Sequence, residues 1–169
     1  MKKKEVIFHS RSRTKTVYFV YSGEVMLYNL TKHGNRKVIF ILGKGRLLNQ
    51  SIVSKKPNAL FCEAACPVQV IEIAEKQFLQ LMEQSHALTR AVLREYERNI
   101  WRMGHQLKNT TGNMQMERKI AAKLWKLGRD FGVDTEDGVM IDIDLTITLM
   151  ADLVGAPREN VSRACKVLT

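Results

Sequence analysis

Along the first 73 residues the apolar positions come in short runs, at 6–8, 17–21, 25–30, 38–42 and 68–73, separated by polar or glycine-bearing stretches. Runs of this length, rich in Val, Ile, Phe and Tyr and bounded by turn formers, predict antiparallel strands. Gly23, Gly34, Gly43 and Gly45 sit at the junctions. The triplet His33-Gly34-Asn35 between two runs predicts a tight hairpin. A small sandwich or barrel is the economical way to close such strands.

Beyond Ile73 the period changes from two to between three and four. A short helix is predicted over 75–83 and a long one over 87–108, with no proline and no glycine before Gly104. The stripe Leu88, Val92, Tyr96, Ile100, Met103 and Leu107 steps by threes and fours along the long helix. At 1.5 Å per residue it spans roughly 33 Å, more than one small domain requires. It therefore connects domains, pairs with a copy of itself, or packs along its own sheet. Residues 109–113 (NTTGN) form the best linker, a further helix covers 116–127, and a turn-rich acidic stretch (130–138) leads to a short alternating run at 139–143.

The last stretch, 145–168, reads as helix, tight turn, helix. Thr146 suits an N-cap, and Leu149, Met150, Leu153 and Val154 give an apolar face. Gly155 after one helix and Pro157 at the start of the next follow the expected asymmetry of helix ends. In the second helix Val161, Ala164, Cys165 and Leu168 form the stripe to be buried, which turns Arg158, Glu159, Ser162, Arg163 and Lys166 outward. Arginine can donate two hydrogen bonds to guanine, glutamate accepts from cytosine, and serine bonds base or phosphate. The same exposed set also suits the solvated face of an ordinary helical hairpin.

Charge adds a partner class. The 169 residues carry 27 Lys or Arg against 17 acids, a net +10 with pI near 9.7. The excess lies in the first 131 residues, while 132–169 hold 3 bases against 7 acids. Such a balance suggests nucleic acid or another anionic surface. Asp142, Asp144 and Asp152 oppose DNA approach near the last two helices, so phosphate contact would fall to Lys119, Lys123, Lys126 and the last helix. Three cysteines without a Cys-x-x-Cys pair predict free thiols. No run approaches the ~18 apolar residues of a membrane span, and the amino terminus lacks a signal core, so a cytoplasmic protein with no membrane partner is expected.

These segments together resemble the Crp/Fnr family of bacterial transcription factors, whose founding members are the cyclic-AMP receptor protein and the fumarate-nitrate reductase regulator. Residues 17–25 (VYFVYSGEV) resemble a sensor-domain strand and turn, 43–45 (GKG) the next turn, 117–124 (ERKIAAKL) the helix after the hinge, and 153–163 (LVGAPRENVSR) the helix-turn-helix. The resemblance implies an α+β protein. It would have a β-roll (jelly-roll) effector domain over 1–84, a dimerisation helix and hinge over 85–112, and a winged helix-turn-helix over 113–169. It implies a homodimer, paired through Leu88, Val92, Tyr96, Ile100, Met103 and Leu107, that regulates transcription from a palindromic site. DNA would be met by Thr146, Arg158, Glu159, Ser162, Arg163 and Lys166, with RNA polymerase and a small-molecule effector as further partners. Relative to the family, additional amino-terminal β-structure and the carboxy-terminal wing are missing from the sequence, as expected of part of a longer protein.

Departures from the family narrow the effector. Where nucleotide-binding relatives hold the cyclic phosphate and ribose with arginine and glutamate, this chain has Asn49-Gln50-Ser51 and Asn58-Ala59, and Gly104-His105 stand where relatives offer hydroxyls to the base. A buried phosphate without a cation loses its charge-assisted hydrogen bonds, so the effector expected at Asn49, Gln50, Asn58, Ala59, Gly104 and His105 is not a cyclic nucleotide. The four-cysteine cluster of iron-sulfur oxygen sensors is absent. In the first helix of the motif Ile147, Thr148 and Leu149 replace polar residues, which predicts weaker DNA affinity. The cofactor stays open. A haem-based gas sensor would use His105 or His86 as axial ligand, and a dimerisation or protein-binding module would not bind DNA at all. No catalytic residues and no metal site are expected, since the histidines lack ligand spacing and only His9, beside the first run, is a strand candidate.

Overall fold

The computed structural model describes residues 1–110 and 114–168. The order is β1 (Val6–Phe8), β2 (Thr16–Ser22), β3 (Val25–Leu30), β4 (Arg36–Leu42), β5 (Phe61–Ala64), β6 (Gln69–Ala74), α1 (Glu75–Gln84), α2 (His86–Thr110), α3 (Met116–Phe131), β7 (Gly132–Thr135), β8 (Gly138–Ile141), α4 (Ile147–Val154) and α5 (Arg158–Leu168). Contacts divide this chain into two units. One holds Met1–Asn29 and Val38–His105; the other holds Leu30–Lys37 with the chain from Gln106 onward.

In the first unit a sheet ordered β1-β5-β3-β4 faces a two-stranded sheet of β2 and β6, with β1–β5, β3–β5 and β2–β6 paired antiparallel. One cluster between them is apolar throughout: Phe8, Val20, Val25, Leu27, Phe40, Leu42, Leu48, Cys62, Ala64 and Val68. Alternation delivers these side chains, since Val25 and Leu27 on β3 and Cys62 and Ala64 on β5 stand two apart and so share a face. Gly23 makes the β2–β3 turn possible. Its φ is +81°, and a Cβ there would lie 2.5 Å from the Pro67 carbonyl oxygen. A second cluster gathers Val17, Leu47, Ile52, Phe78 and Val92, with Leu88 and Tyr96 packed against it, so it joins the roll to α1 and α2. Each such side chain withdrawn from water contributes roughly 1.5–3 kcal/mol.

Strand β5 was not among the apolar runs. Its centre is Glu63, 2% exposed, whose carboxylate accepts from the Tyr28 hydroxyl at 3.2 Å, so a charged residue stands in a buried strand. Strand β7 was likewise missed inside the acidic stretch, because all four of its residues are exposed and it exists through pairing with β8. Helix α3 continues four residues past the expected end, to Phe131. Of the expected linker, Asn109 and Thr110 belong to α2, and 111–113 lie outside the described residues.

Candidate nucleic-acid interface

The second unit is built around three helices that bury Ile120 and Leu127 of α3, Met150, Ala151, Leu153 and Val154 of α4, and Val161 and Ala164 of α5. Thr146 caps α4, its Oγ1 accepting from the Leu149 N–H at 3.1 Å. At the other end Gly155 takes φ +76° and ψ +46°, and its N–H together with that of Ala156 returns to the Ala151 carbonyl. A left-handed residue closing a helix in this way satisfies carbonyls that would otherwise be orphaned. Lys37 Nζ adds bonds to the Val154 oxygen at 2.7 Å and the Leu153 oxygen at 3.3 Å, within the same unit. Burial, reinforced by nearby Lys119, holds the Lys37 ammonium below its ordinary value. Pro157 then opens α5, its carbonyl receiving the Val161 N–H at 3.2 Å.

This turn fixes which face of α5 is free. Arg158, Glu159, Arg163 and Lys166 are exposed and Ser162 is half-buried above Val161 and Ala164. The expected inward stripe is narrower than its spacing suggested: Cys165 is half-buried and Leu168 is 46% exposed, because α5 packs only through its first two turns' apolar residues. Asn160, which the sequence reading passed over, stands on the exposed face and accepts from Arg163 Nη2 at 2.5 Å. The i,i+3 spacing of the two residues was the available signal. Thr146 is exposed at the start of α4 with its hydroxyl oxygen engaged in the cap. On α3, Lys119, Lys123 and Lys126 are half-buried, while Trp125 is 68% exposed under the Arg129 guanidinium.

The residues expected to hold an effector make bonds within the first unit or stand exposed on α2. Asn49, 5% exposed, accepts from the Tyr18 N–H through Oδ1 at 2.8 Å and donates through Nδ2 to the Thr16 oxygen at 2.9 Å. Gln50 donates to the Leu48 oxygen and accepts from the Leu60 N–H. Asn58 is buried, its N–H donating to the Ser12 oxygen and its own carbonyl accepting from the Arg11 N–H, while Ala59 accepts from the Ser10 hydroxyl. Asn58 and Ala59 therefore tie the loop to the chain between β1 and β2, and Asn49 ties it to β2 itself. Gly104 and His105 are exposed on α2; the His105 ring lies 3.8 Å from that of Trp101, and its Nδ1 meets the Trp101 oxygen at 3.0 Å. The two half-buried or buried thiols of the roll are held as thiols, Cys62 by burial and the Glu63 charge, Cys66 by burial and its bond to Glu24 at 2.7 Å.

Helix α2 divides the expected dimer stripe. Val92 is buried in the first unit's core with Leu88 and Tyr96 against it, whereas Ile100, Met103 and Leu107 are exposed. Leu93, outside the stripe, is exposed too. It precedes Ile100 by seven residues, as Ile100 precedes Leu107. Among the described residues no group of three or more His, Cys, Asp or Glu could hold a metal ion, and no helix is long and apolar enough to cross a membrane.

A β-roll followed by a long helix and a helix-turn-helix defines a class of two-part transcription regulators, and comparison with known proteins gives the family. Residues 1–85 match the cyclic nucleotide-binding domain. The global nitrogen regulator of Nostoc sp. is 25% identical over 162 residues, 94% of this chain and 72% of that one. The cAMP-activated global transcriptional regulator CRP of Haemophilus influenzae is 24% identical over 170 residues, covering 98% and 74%. Among solved structures, FixK2 from Bradyrhizobium japonicum superposes with a TM-score of 0.84 at 20% identity over 99% of this chain and 81% of its own. A CooA mutant from Carboxydothermus hydrogenoformans gives 0.83 at 17%, covering 99% and 73%. The chain belongs to the Crp/Fnr family of transcription regulators and carries that family's cyclic nucleotide-binding fold.

Proposed function

We propose that this chain is a sequence-specific DNA-binding regulator that acts as a homodimer on a palindromic site, under an effector other than a cyclic nucleotide. The observation that carries the reading is the free face of α5, where Arg158, Glu159, Ser162 and Arg163 stand together above buried Val161 and Ala164. Helices of this motif present the start of their second helix to base edges, and these side chains are readers of guanine and cytosine. Lys166 and Thr146, at the far end of α5 and the start of α4, take phosphate contacts in this reading.

The homodimer is supported by Leu93, Ile100 and Leu107, exposed apolar residues seven apart as in a parallel two-helix seam, with Met103 beside them. Gly104 lies between Ile100 and Leu107 with open space where a Cβ would project, which permits close helix approach. Exclusion of cyclic nucleotides is supported by Asn49 and Asn58, whose carboxamides are bonded inside the protein and carry no charge for a phosphate.

Selection of duplexes from a random pool by the full chain tests the reading. It expects an inverted repeat with half-sites about one helical turn apart. Recovery of no preferred sequence at low salt overturns it in favour of a protein-interaction module.

A further inference from the structure

We propose that Asn160 is the positioning residue that commits Arg163 to guanine, a role that rests on reading α5 as the major-groove helix. Arg163 Nη2 donates to Asn160 Oδ1 at 2.5 Å, both side chains being exposed on the free face of α5. A guanidinium carries only donors, so the amide oxygen must be the atom that faces it, and the amide orientation is fixed by chemistry. Two consequences follow for what this face can read.

First, the pair presents mostly donors. One lone pair of Asn160 Oδ1 takes the Arg163 N–H and the second stays available, while the Asn160 amide N–H bonds and the unused N–H bonds of Arg163 outnumber it. Donors held side by side match the O6 and N7 acceptors of guanine.

Second, Arg163 has another partner within reach of its helix turn. Glu159 stands four residues before it, the spacing at which carboxylate and guanidinium pair on a helix surface. Such a pair would take away the face's donor and its one carboxylate acceptor together. The Asn160 amide, one residue nearer, holds the guanidinium instead and leaves Glu159 free to accept from cytosine. Holding a long side chain in one arrangement before binding also removes part of the ordering cost of the complex.

The test is duplex selection and competition binding with the full chain, wild-type, Asn160→Ala and Asn160→Asp, each first shown by thermal unfolding to be folded. Wild type is expected to enrich a guanine at the Arg163 step. Asn160→Ala is expected to keep the half-site but lose discrimination at that one base pair by about fivefold or more. Asn160→Asp, which still accepts from Arg163, is expected to lower affinity for all duplexes while keeping the guanine preference. Should wild type enrich a half-site that Asn160→Ala reads with unchanged preference at every position, the inference falls and the DNA-binding reading stands. A loss by Asn160→Ala spread evenly over all positions overturns it too. If wild type itself enriches nothing, the major-groove reading fails first and takes this one with it.

Discussion

Arg46, in the turn after β4, donates through Nε to the Glu95 carboxylate on α2 at 2.6 Å, and its Nη2 reaches Asn99 Oδ1 at 3.2 Å. Both charged side chains are largely buried. The pair fixes the middle of the long helix to the roll beside Val92, so the side of α2 that can meet another molecule is decided here. Glu95→Ala leaves a mostly buried guanidinium without its carboxylate and is expected to lower unfolding free energy by about 1.5–3 kcal/mol. Denaturant unfolding of Arg46→Ala, Glu95→Ala and the double variant checks it. Losses that simply add would mean the two residues do not interact.

At the free side, Ile100→Glu is expected to turn a dimer into a monomer at micromolar concentration, since it places a carboxylate in an apolar seam. Trp125→Ala, exposed on α3, is the control that should leave the association state unchanged. Sedimentation equilibrium reads both. A wild-type monomer, or a dimer indifferent to Ile100→Glu, removes the seam.

Tyr96 gives a pH dependence. Burial pushes its phenol up to about 12, offset in part by a bond from the Ile52 backbone. The folded state therefore keeps a proton that the unfolded chain releases above pH 10, and stability falls as pH rises from about 10 toward 12. Below pH 10 this group contributes no slope. Tyr96→Phe is expected to flatten the decline between about pH 10 and 12 in denaturant midpoints, and the absorbance difference between the two proteins should titrate as one late phenol. An identical decline in both proteins would assign the slope to other groups.

The turn between α4 and α5 carries two local requirements. Thr146→Ala removes the cap on α4 and is expected to cost about 0.5–2 kcal/mol, with Thr146→Ser restoring most of it. Gly155→Ala forces a side chain to φ +76° against the Lys37 side chain, 2.6 Å from the new Cβ, and should cost about 1–2 kcal/mol. Thermal unfolding followed in the far ultraviolet compares them. An unchanged midpoint for Gly155→Ala would mean that the turn is not held in the left-handed conformation.

On DNA, Arg158→Ala and Arg163→Ala are each expected to cost about 1–3 kcal/mol on the selected site and to relax one base pair, while Lys123→Ala weakens all sequences alike and reduces the salt slope. Competition binding at two salt concentrations separates the signatures. Two arginine variants with the wild-type ratio of specific to random binding would end the case for direct readout.

Local pattern was enough for most elements. Strands with an apolar face against the roll interior show their alternation without knowledge of a partner, as at Val25 and Leu27. The helix-turn-helix is legible because its devices lie within a few residues of each other: the Thr146 cap, Gly155 in the left-handed turn, Pro157, and the buried Val161 and Ala164. Tertiary contact decided the rest. Glu63 is acceptable within β5 because Tyr28, 35 residues away in sequence, supplies a hydroxyl to its carboxylate. Strand β7 exists because β8 pairs with it, not because its own residues are apolar. The stripe on α2 was visible as a period, yet a period does not say which neighbour covers each turn. Val92 is covered by Val17, Leu47, Ile52 and Phe78, and Ile100 is not. Likewise the sequence placed Asn49, Gln50 and Asn58 in one polar loop but did not show that their partners would be Ser12, Thr16, Tyr18 and Leu60. Periodicity and helix caps act over one or two turns, so one chain segment carries them. Burial and hydrogen-bond pairing join residues tens of positions apart, and only the folded chain brings those together.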